Sequence, residues 1–172
     1  TVQNVLGNEV LGGLDGDCVG SISNEKTNKL YWFITTDTKD AIYEYSQGTL
    51  PVPIFIDTKA KTNDAVLEFG SRIITGINIV DDFLFWTDGV TEPKKINITR
   101  SRLGTINAVT HTKLVIKDVI VQEDDGSGNL IDIDIKKEHI TVIKKKPTSK
   151  LNVNLITSPQ TTSSGGKPSL FE

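Results

Sequence analysis

The stretch FLFWTDGVTEPKKINITRS, residues 83–101, decides the fold class of this chain. Residues 83–87 are mostly apolar or aromatic and lead into Asp88 and Gly89, a pair that favours a turn. Residues 94–99 follow with an alternation of polar and apolar side chains, the period of a half-buried strand. The stretch therefore predicts two antiparallel strands joined by a turn.

Similar short runs, rich in Ile, Val, Thr and aromatic residues and separated by Gly, Asn, Asp and Pro, occur along most of the chain. They predict an all-β protein built from antiparallel strands. Residues 63–70 fit either a short helix, with Asn63 as N-cap, or a loop followed by a strand. The predicted strands are residues 18–23, 29–35, 41–46, 52–57, 73–80, 83–87, 94–99, 112–122, 129–136 and 139–145.

Two segments share one pattern when Trp32 is placed over Trp86, at an offset of 54 residues (86 − 32 = 54). Each copy reads as a strand, a turn, an aromatic strand, an Asp turn and an amphipathic strand. A repeat of about 40–50 residues with a Trp-Asp signature is typical of β-propeller blades, which pack face to face. Two unrelated hairpins would give the same pattern. The residues expected to pack the blades or close their turns are Tyr31, Trp32, Asp37, Phe85, Trp86 and Asp88.

Two blades cannot close a propeller, which typically needs about 4–8 of them. The other blades must lie elsewhere in a longer chain, in other subunits, or nowhere. Residues 157–172 are rich in Ser, Thr, Gly and Pro and predict an arm or linker. The expected divisions are an N-terminal extension (1–17), a first blade (18–57), a connector (58–72), a second blade (73–104), a β-hairpin region (105–147) and a C-terminal arm (148–172).

Composition excludes several classes of protein. The net charge of −3 gives no overall electrostatic attraction for nucleic acid. A single cysteine, Cys18, excludes an intrachain disulfide, and we expect it to be a small core residue. No apolar run approaches the roughly 20 residues of a membrane span. The chain contains no Met and does not start like a signal peptide, so we interpret it as a processed product or a segment of a longer polypeptide.

Catalytic motifs are not found in the sequence, and we expect no enzyme activity and no cofactor. His111 and His139 have no metal-ligand partner at a suitable spacing, so both are interpreted as ordinary strand residues. Residues 123–134 overlap a calcium-loop template at Glu123, Asp125 and Asp134, but their flanks alternate like strands, which favours a hairpin loop. The basic residues that could form an electropositive rim are Lys94, Lys95, Arg100 and Arg102, although a solvated strand edge would look the same.

Residues 84–104, LFWTDGVTEPKKINITRSRLG, resemble the YWTD blade of low-density-lipoprotein-receptor propellers. Over residues 18–147 the order CVGSISNEKTNKLYWFITTDTKDAIYEYSQGT, ITGINIVDDFLFWTDGVTEPKKINI and EHITVIKKKP is similar to tail nozzle, muzzle or tail-tube proteins of podoviruses, including crAss-like phages. The second resemblance implies a virion component without catalysis, assembled in the host cytoplasm into a ring of propeller-like β domains.

The phage resemblance also implies the partners: copies of the chain itself, other tail proteins and, transiently, passing DNA. The first resemblance implies a different function, a YWTD-type β-propeller module that binds another protein. A propeller hydrolase is the weakest of the three interpretations, because the sequence supplies no pair of nucleophile and base.

Overall fold

The computed structural model describes residues 13–143, and this part of the chain is an all-β structure of antiparallel sheets, none of them closed. The first sheet is a four-stranded meander, each strand hydrogen-bonded to the next along the chain. Its strands match the predicted ones within a residue or two. They are β1 (Asp17–Asn24), β2 (Lys29–Thr35), β3 (Asp40–Ser46) and β4 (Val52–Asp57).

The second sheet is a three-stranded meander of β5 (Gly76–Val80), β6 (Phe83–Thr87) and β7 (Lys94–Asn97). A tight turn joins β5 to β6 and places Asp81 at a φ of 53°, a left-handed conformation that Asp tolerates better than most residues. Strand β6 has the predicted bounds. Strand β5 begins three residues later than predicted, at Gly76.

The predicted strand over residues 94–99 is wrong at its second half. Strand β7 ends at Asn97, and a helix, α1, spans Ile98–Gly104. The Asn97 side chain accepts a hydrogen bond from the backbone N–H of Arg100 at 2.9 Å, so this residue is an N-cap. The backbone N–H of Ile98 also bonds to the carbonyl of Asp82 at 2.8 Å, which turns the chain at the end of the sheet.

The region after α1 contains shorter elements than the sequence predicts. The strand predicted over 112–122 divides at the turn of Lys117 and Asp118, which both have positive φ angles. The strand predicted over 139–145 is wrong at its start, since a short helix ends at Ile140, and residues 144 and 145 lie outside the described residues. The elements are β8 (Val115–Ile116), β9 (Val119–Ile120), β10 (Gln122–Asp124), β11 (Leu130–Asp132) and α2 (Lys137–Ile140).

One core joins the two meanders. Buried side chains from β2, β3, β6 and β7 meet in a single cluster, so the two sheets pack face to face. Residues 63–70 form neither a helix nor a strand, but three of their side chains, Val66, Leu67 and Phe69, enter this core. The connector is therefore part of the packing between the sheets.

A second, smaller cluster lies on the outer face of the first sheet and includes Ile34, Tyr43 and Ile56, with Leu14 packed against it. Cys18 belongs to neither cluster and is exposed, which corrects the expectation of a core cysteine. The reason is the alternation of strand side chains, which buries its neighbour Val19 instead. The start of the predicted N-terminal extension, the end of the hairpin region and the C-terminal arm lie outside the described residues.

Candidate functional site

Trp86 lies at the centre of the interface between the two sheets. Its side chain is 4% exposed. The rings of Phe33 and Phe69 approach it edge-on, with centroids at 5.6 and 6.3 Å. Edge-to-face pairs of this kind add to the stabilisation that burial alone provides. The expectation that Trp86 packs between neighbouring sheets is therefore confirmed.

Trp32 does not pack in this interface, which corrects its predicted role. It is half-buried on the outer face of the first sheet and stacks on Tyr45, with centroids 5.5 Å apart and planes 20° from parallel. Tyr31 and Phe33, its neighbours in β2, face the shared core. Side chains alternate along a strand, so a shift of one residue exchanges the two faces.

Phe33, and not Trp32, is the structural counterpart of Trp86. Both residues point from an inner strand of their sheet into the shared core, and their rings contact each other edge-on there. Identical residue types place Trp32 over Trp86 in the sequence. The packing role depends instead on which side of the sheet a residue faces. The two sheets are thus similar in topology but not in the placement of their tryptophans.

Phe85 also lies away from the shared core, so its predicted blade-packing role between these two sheets is wrong. It is half-buried on the outer face of the second sheet, beside Phe83 at a centroid distance of 6.3 Å. Val80 and Phe83 pair directly across the sheet on that face and are 51% and 39% exposed. We call the side of the second sheet that carries Val80, Phe83, Phe85 and Lys95 the outer apolar face.

The two predicted Asp turns differ. Asp88 closes its turn by accepting hydrogen bonds from the backbone N–H groups of Val90 and Thr91, at 2.9 and 2.7 Å, as predicted. Burial alone would raise the pKa of Asp88, but these bonds and the charge of Lys94 hold that pKa below its usual value. Asp37 is exposed and does not close its turn.

The turn at Asp37 is closed by the preceding residue instead. The hydroxyl of Thr36 accepts hydrogen bonds from the backbone N–H groups of Thr38 and Lys39, at 3.2 and 2.9 Å. Threonine can cap a turn with its hydroxyl in the same way as aspartate. The Thr-Asp pair that both segments share therefore does not show which of its two residues accepts the hydrogen bonds.

Tyr31 carries a polar group into the edge of the core. Its hydroxyl donates a 2.9 Å hydrogen bond to the Glu44 carboxylate, which also forms ion pairs with Lys29 and Arg102. Burial, followed by the hydrogen bond to Glu44, raises the pKa of Tyr31 well above its usual range. Arg102 is therefore bound to the first sheet, which ties α1 to β3.

The predicted electropositive rim does not form as a continuous surface. Lys94 is 1% exposed, and its ammonium lies 3.1 Å from the Glu68 carboxylate. Arg100 pairs with Asp118 at 3.6 Å, and Arg102 with Glu44. Lys95 remains at the surface, with its ammonium 5.8 Å from the centre of the Phe83 ring. Side chains alternate along β7, so the adjacent residues Lys94 and Lys95 point to opposite faces of the sheet.

The predicted hairpin loop over residues 123–134 is confirmed, and the calcium-ligand set is not assembled. Asp125 accepts hydrogen bonds from the backbone N–H groups of Ser127 and Asn129, which lower its pKa. Asp134 lies beyond the hairpin and pairs with Lys113 at 2.7 Å and Lys59 at 2.9 Å. Among residues 13–143, no group of three or more His, Cys, Asp or Glu side chains is placed to hold a metal ion.

Two buried carboxylates that the sequence did not indicate organise the connector. Asp57 is fully buried and accepts hydrogen bonds from the backbone N–H groups of Val66 and Leu67, at 2.7 and 2.8 Å. Asp40, also fully buried, accepts one from Phe69 at 2.9 Å. Buried polar groups must be satisfied in this way. Their signal in the sequence is only an Asp at the first residue of β3 and the last residue of β4.

His111 is not a strand residue, and its ring links three chain segments. Its Nδ1 accepts a hydrogen bond from the backbone N–H of Thr58 at 3.3 Å, while Nε2 lies 2.9 Å from the carbonyl of Ile135. A neutral ring protonated at Nε2 satisfies both contacts. Asp57 lies 3.6 Å from Nδ1. His139, in α2, is likewise not in a strand: its Nδ1 accepts a hydrogen bond from the backbone N–H of Lys136 at 3.0 Å.

No helix of the described residues is both long and apolar enough to span a bilayer. No protein-family model, curated protein sequence or solved structure matches the chain.

Proposed function

We propose that this chain is a structural part of a phage tail, a nozzle- or muzzle-like tube component in which propeller-like β blades assemble into a ring of subunits. The observation that carries the proposal is the pair of consecutive meander sheets packed face to face, with the second sheet presenting an outer apolar face to solvent. If another blade follows in the array, its sheet would cover this face.

The exposed side chains support an assembly more strongly than an isolated module. Soluble monomers rarely expose contiguous apolar patches larger than a few hundred Å². Val80 and Phe83 are paired neighbours on the outer apolar face, and Phe85 lies beside Phe83. Another copy of the chain, or another blade of a longer chain, is the partner that would bury them.

A non-catalytic role is supported by the occupation of the polar groups. His111 is bonded to backbone at both ring nitrogens, and the buried carboxylates of Asp40 and Asp57 bind backbone N–H groups. These groups stabilise the fold and present no nucleophile or base to a substrate.

We infer a virion location from the resemblance. Contact with passing DNA is not part of the proposal, because Lys94 is buried and Arg102 pairs with Glu44, so the four basic residues form no continuous surface.

The test has two parts. Mass photometry and electron microscopy of the recombinant 172-residue chain should show ring-shaped or larger oligomers. An antibody against the chain should label the tail of purified virions from the phage that encodes it.

A folded monomer at all concentrations, together with unlabelled virions, would overturn the proposal. If that monomer instead captured a defined protein through its sheets, the YWTD-type binding module would replace it.

A further inference from the structure

A projecting hairpin formed by residues 121–133 carries a marked charge imbalance. It contains four acidic residues and no Lys or Arg. The four are Glu123, Asp124, Asp125 and Asp132. We call these residues the acidic hairpin.

The acidic hairpin exposes apolar side chains on both faces of a two-stranded ribbon. Leu130 and Ile131 are adjacent in β11, so they point to opposite faces, and they are 67% and 46% exposed. Ribbons of two strands are marginally stable by themselves. A partner that closes around the ribbon would bury both faces, whereas a flat surface would bury only one.

The tip of the hairpin is already shaped for such a contact. The Asp124 side chain accepts hydrogen bonds from the backbone N–H groups of Gly126 and Gly128, at 2.7 and 3.0 Å. Both glycines have positive φ angles, 85° and 86°, which a side chain would oppose. A loop fixed in this way loses little conformational freedom on binding.

A cleft of about 360 Å³ lies where the outer apolar face of the second sheet meets the strand region after α1. Phe83, Leu114 and Ile135 contribute apolar surface, and Lys95 and Arg100 contribute positive charge. None of its described lining residues is acidic. We call it the basic cleft.

The positive charges of the basic cleft remain available to a partner. Lys95 is exposed and contacts the Phe83 ring. Arg100 pairs with Asp118 at 3.6 Å, but their side chains are 50% and 70% exposed, and ion pairs so exposed contribute little. An incoming carboxylate can therefore replace that contact.

We propose that the acidic hairpin of one copy docks over the basic cleft of the next copy. The proposal rests on the proposed function, since it names the contact that would build the ring. The two surfaces are different patches of one chain, so the contact is head-to-tail and propagates into a ring or a filament. Complementary charge fixes its orientation, and Leu130 and Ile131 supply the apolar burial.

Charge reversal tests the contact with two variants that leave the fold's own hydrogen bonds intact. Lys95→Glu replaces a positive charge of the cleft with a negative one. Glu123→Lys lowers the net charge of the hairpin from −4 to −2. Each change weakens the attraction between the two surfaces. Sedimentation velocity of the full chain should show each variant associating at least tenfold more weakly than wild type. An equimolar mixture should regain assembly, because in alternating order one contact pairs the two introduced charges with each other and the next contact pairs two unchanged surfaces. Lys26→Glu and Glu25→Lys, in the exposed turn between β1 and β2, are the matched controls and should assemble like wild type.

The apolar part of the contact has its own readout. Leu130→Ser should weaken assembly at low and high salt alike, whereas the effect of the charge reversals should shrink in high salt. If the wild type forms rings and all three variants assemble equally well, the hairpin contact is wrong while the proposed function stands. If the wild type never associates, the hairpin contact is wrong, and labelling of the virions decides the proposed function separately. Variants that assemble poorly but are not rescued by mixing would also overturn the contact.

Discussion

At the scale of single residues, the side of the sheet that a side chain faces decides its role more than its chemical type does. Trp86 and Trp32 occur in similar sequence contexts, yet one lies in the shared core and the other on the outer face. Lys94 and Lys95 differ in the same way, one buried against Glu68 and one at the surface. Side chains one position apart in a strand point to opposite environments.

The two tryptophans give the first prediction. Trp86→Ala should lower the free energy of unfolding by about 3–5 kcal/mol, because it removes a buried ring and leaves a cavity between the sheets. Trp32→Ala should cost clearly less, since solvent can occupy the space that its half-exposed ring leaves. Urea unfolding followed by circular dichroism measures both. An equal or larger loss for Trp32→Ala would contradict the assignment of the core.

A second residue-scale prediction concerns pH. The folded pKa of Asp88 is lowered, so its contribution to stability is full above its unfolded pKa of about 3.9 and is lost as pH falls through the folded pKa. The difference in urea midpoint between wild type and Asp88→Asn should therefore be largest near pH 6 and shrink towards pH 2. Asp37→Asn, in the other turn, is the matched control variant, because Thr36 and not Asp37 closes that turn. A difference that grew on acidification would have the wrong sign.

At the scale of elements, the strands with strong alternation and clear turn residues could be predicted. Strands β1 to β4 and β6 have nearly the expected bounds, because their apolar runs end at Gly, Asn or Asp. Helix α1 was missed since Ile98 and Thr99 are β-branched and continue the alternation, and only the Asn97 cap marks its start. The connector could not be predicted, because its fold depends on two buried carboxylates, Asp40 and Asp57, that lie outside it in β3 and β4.

The connector gives the third prediction. Asp57→Asn replaces an acceptor-only carboxylate with an amide that faces the N–H groups of Val66 and Leu67. The loss should be about 1.5–3 kcal/mol, the usual value for buried hydrogen bonds to a charged group. Hydrogen exchange should accelerate first in residues 58–70. Asp64→Asn, at an exposed position in the same segment, is the control and should change neither quantity.

At the scale of the whole molecule, the two meanders share one core and cannot be separate folding units. Phe33 and Ile42 come from the first sheet, and Leu84 and Trp86 from the second. The connector adds Phe69 between them. Neither sheet could lose its partner without exposing these side chains to water, which costs about 25 cal/mol for each Å² of apolar surface.

The last prediction tests this shared core directly. In a Trp86→Phe background the fluorescence of Trp32 reports only on the first sheet, while Leu84→Ala removes a fully buried side chain from the second. The change should destabilise the molecule by about 2–5 kcal/mol and shift the Trp32 transition together with the circular dichroism transition. Two independent sheets would give a different result: the Trp32 transition would stay in place while part of the circular dichroism signal was lost at lower urea. That outcome would separate the sheets into independent units and remove the observation on which the proposed assembly rests.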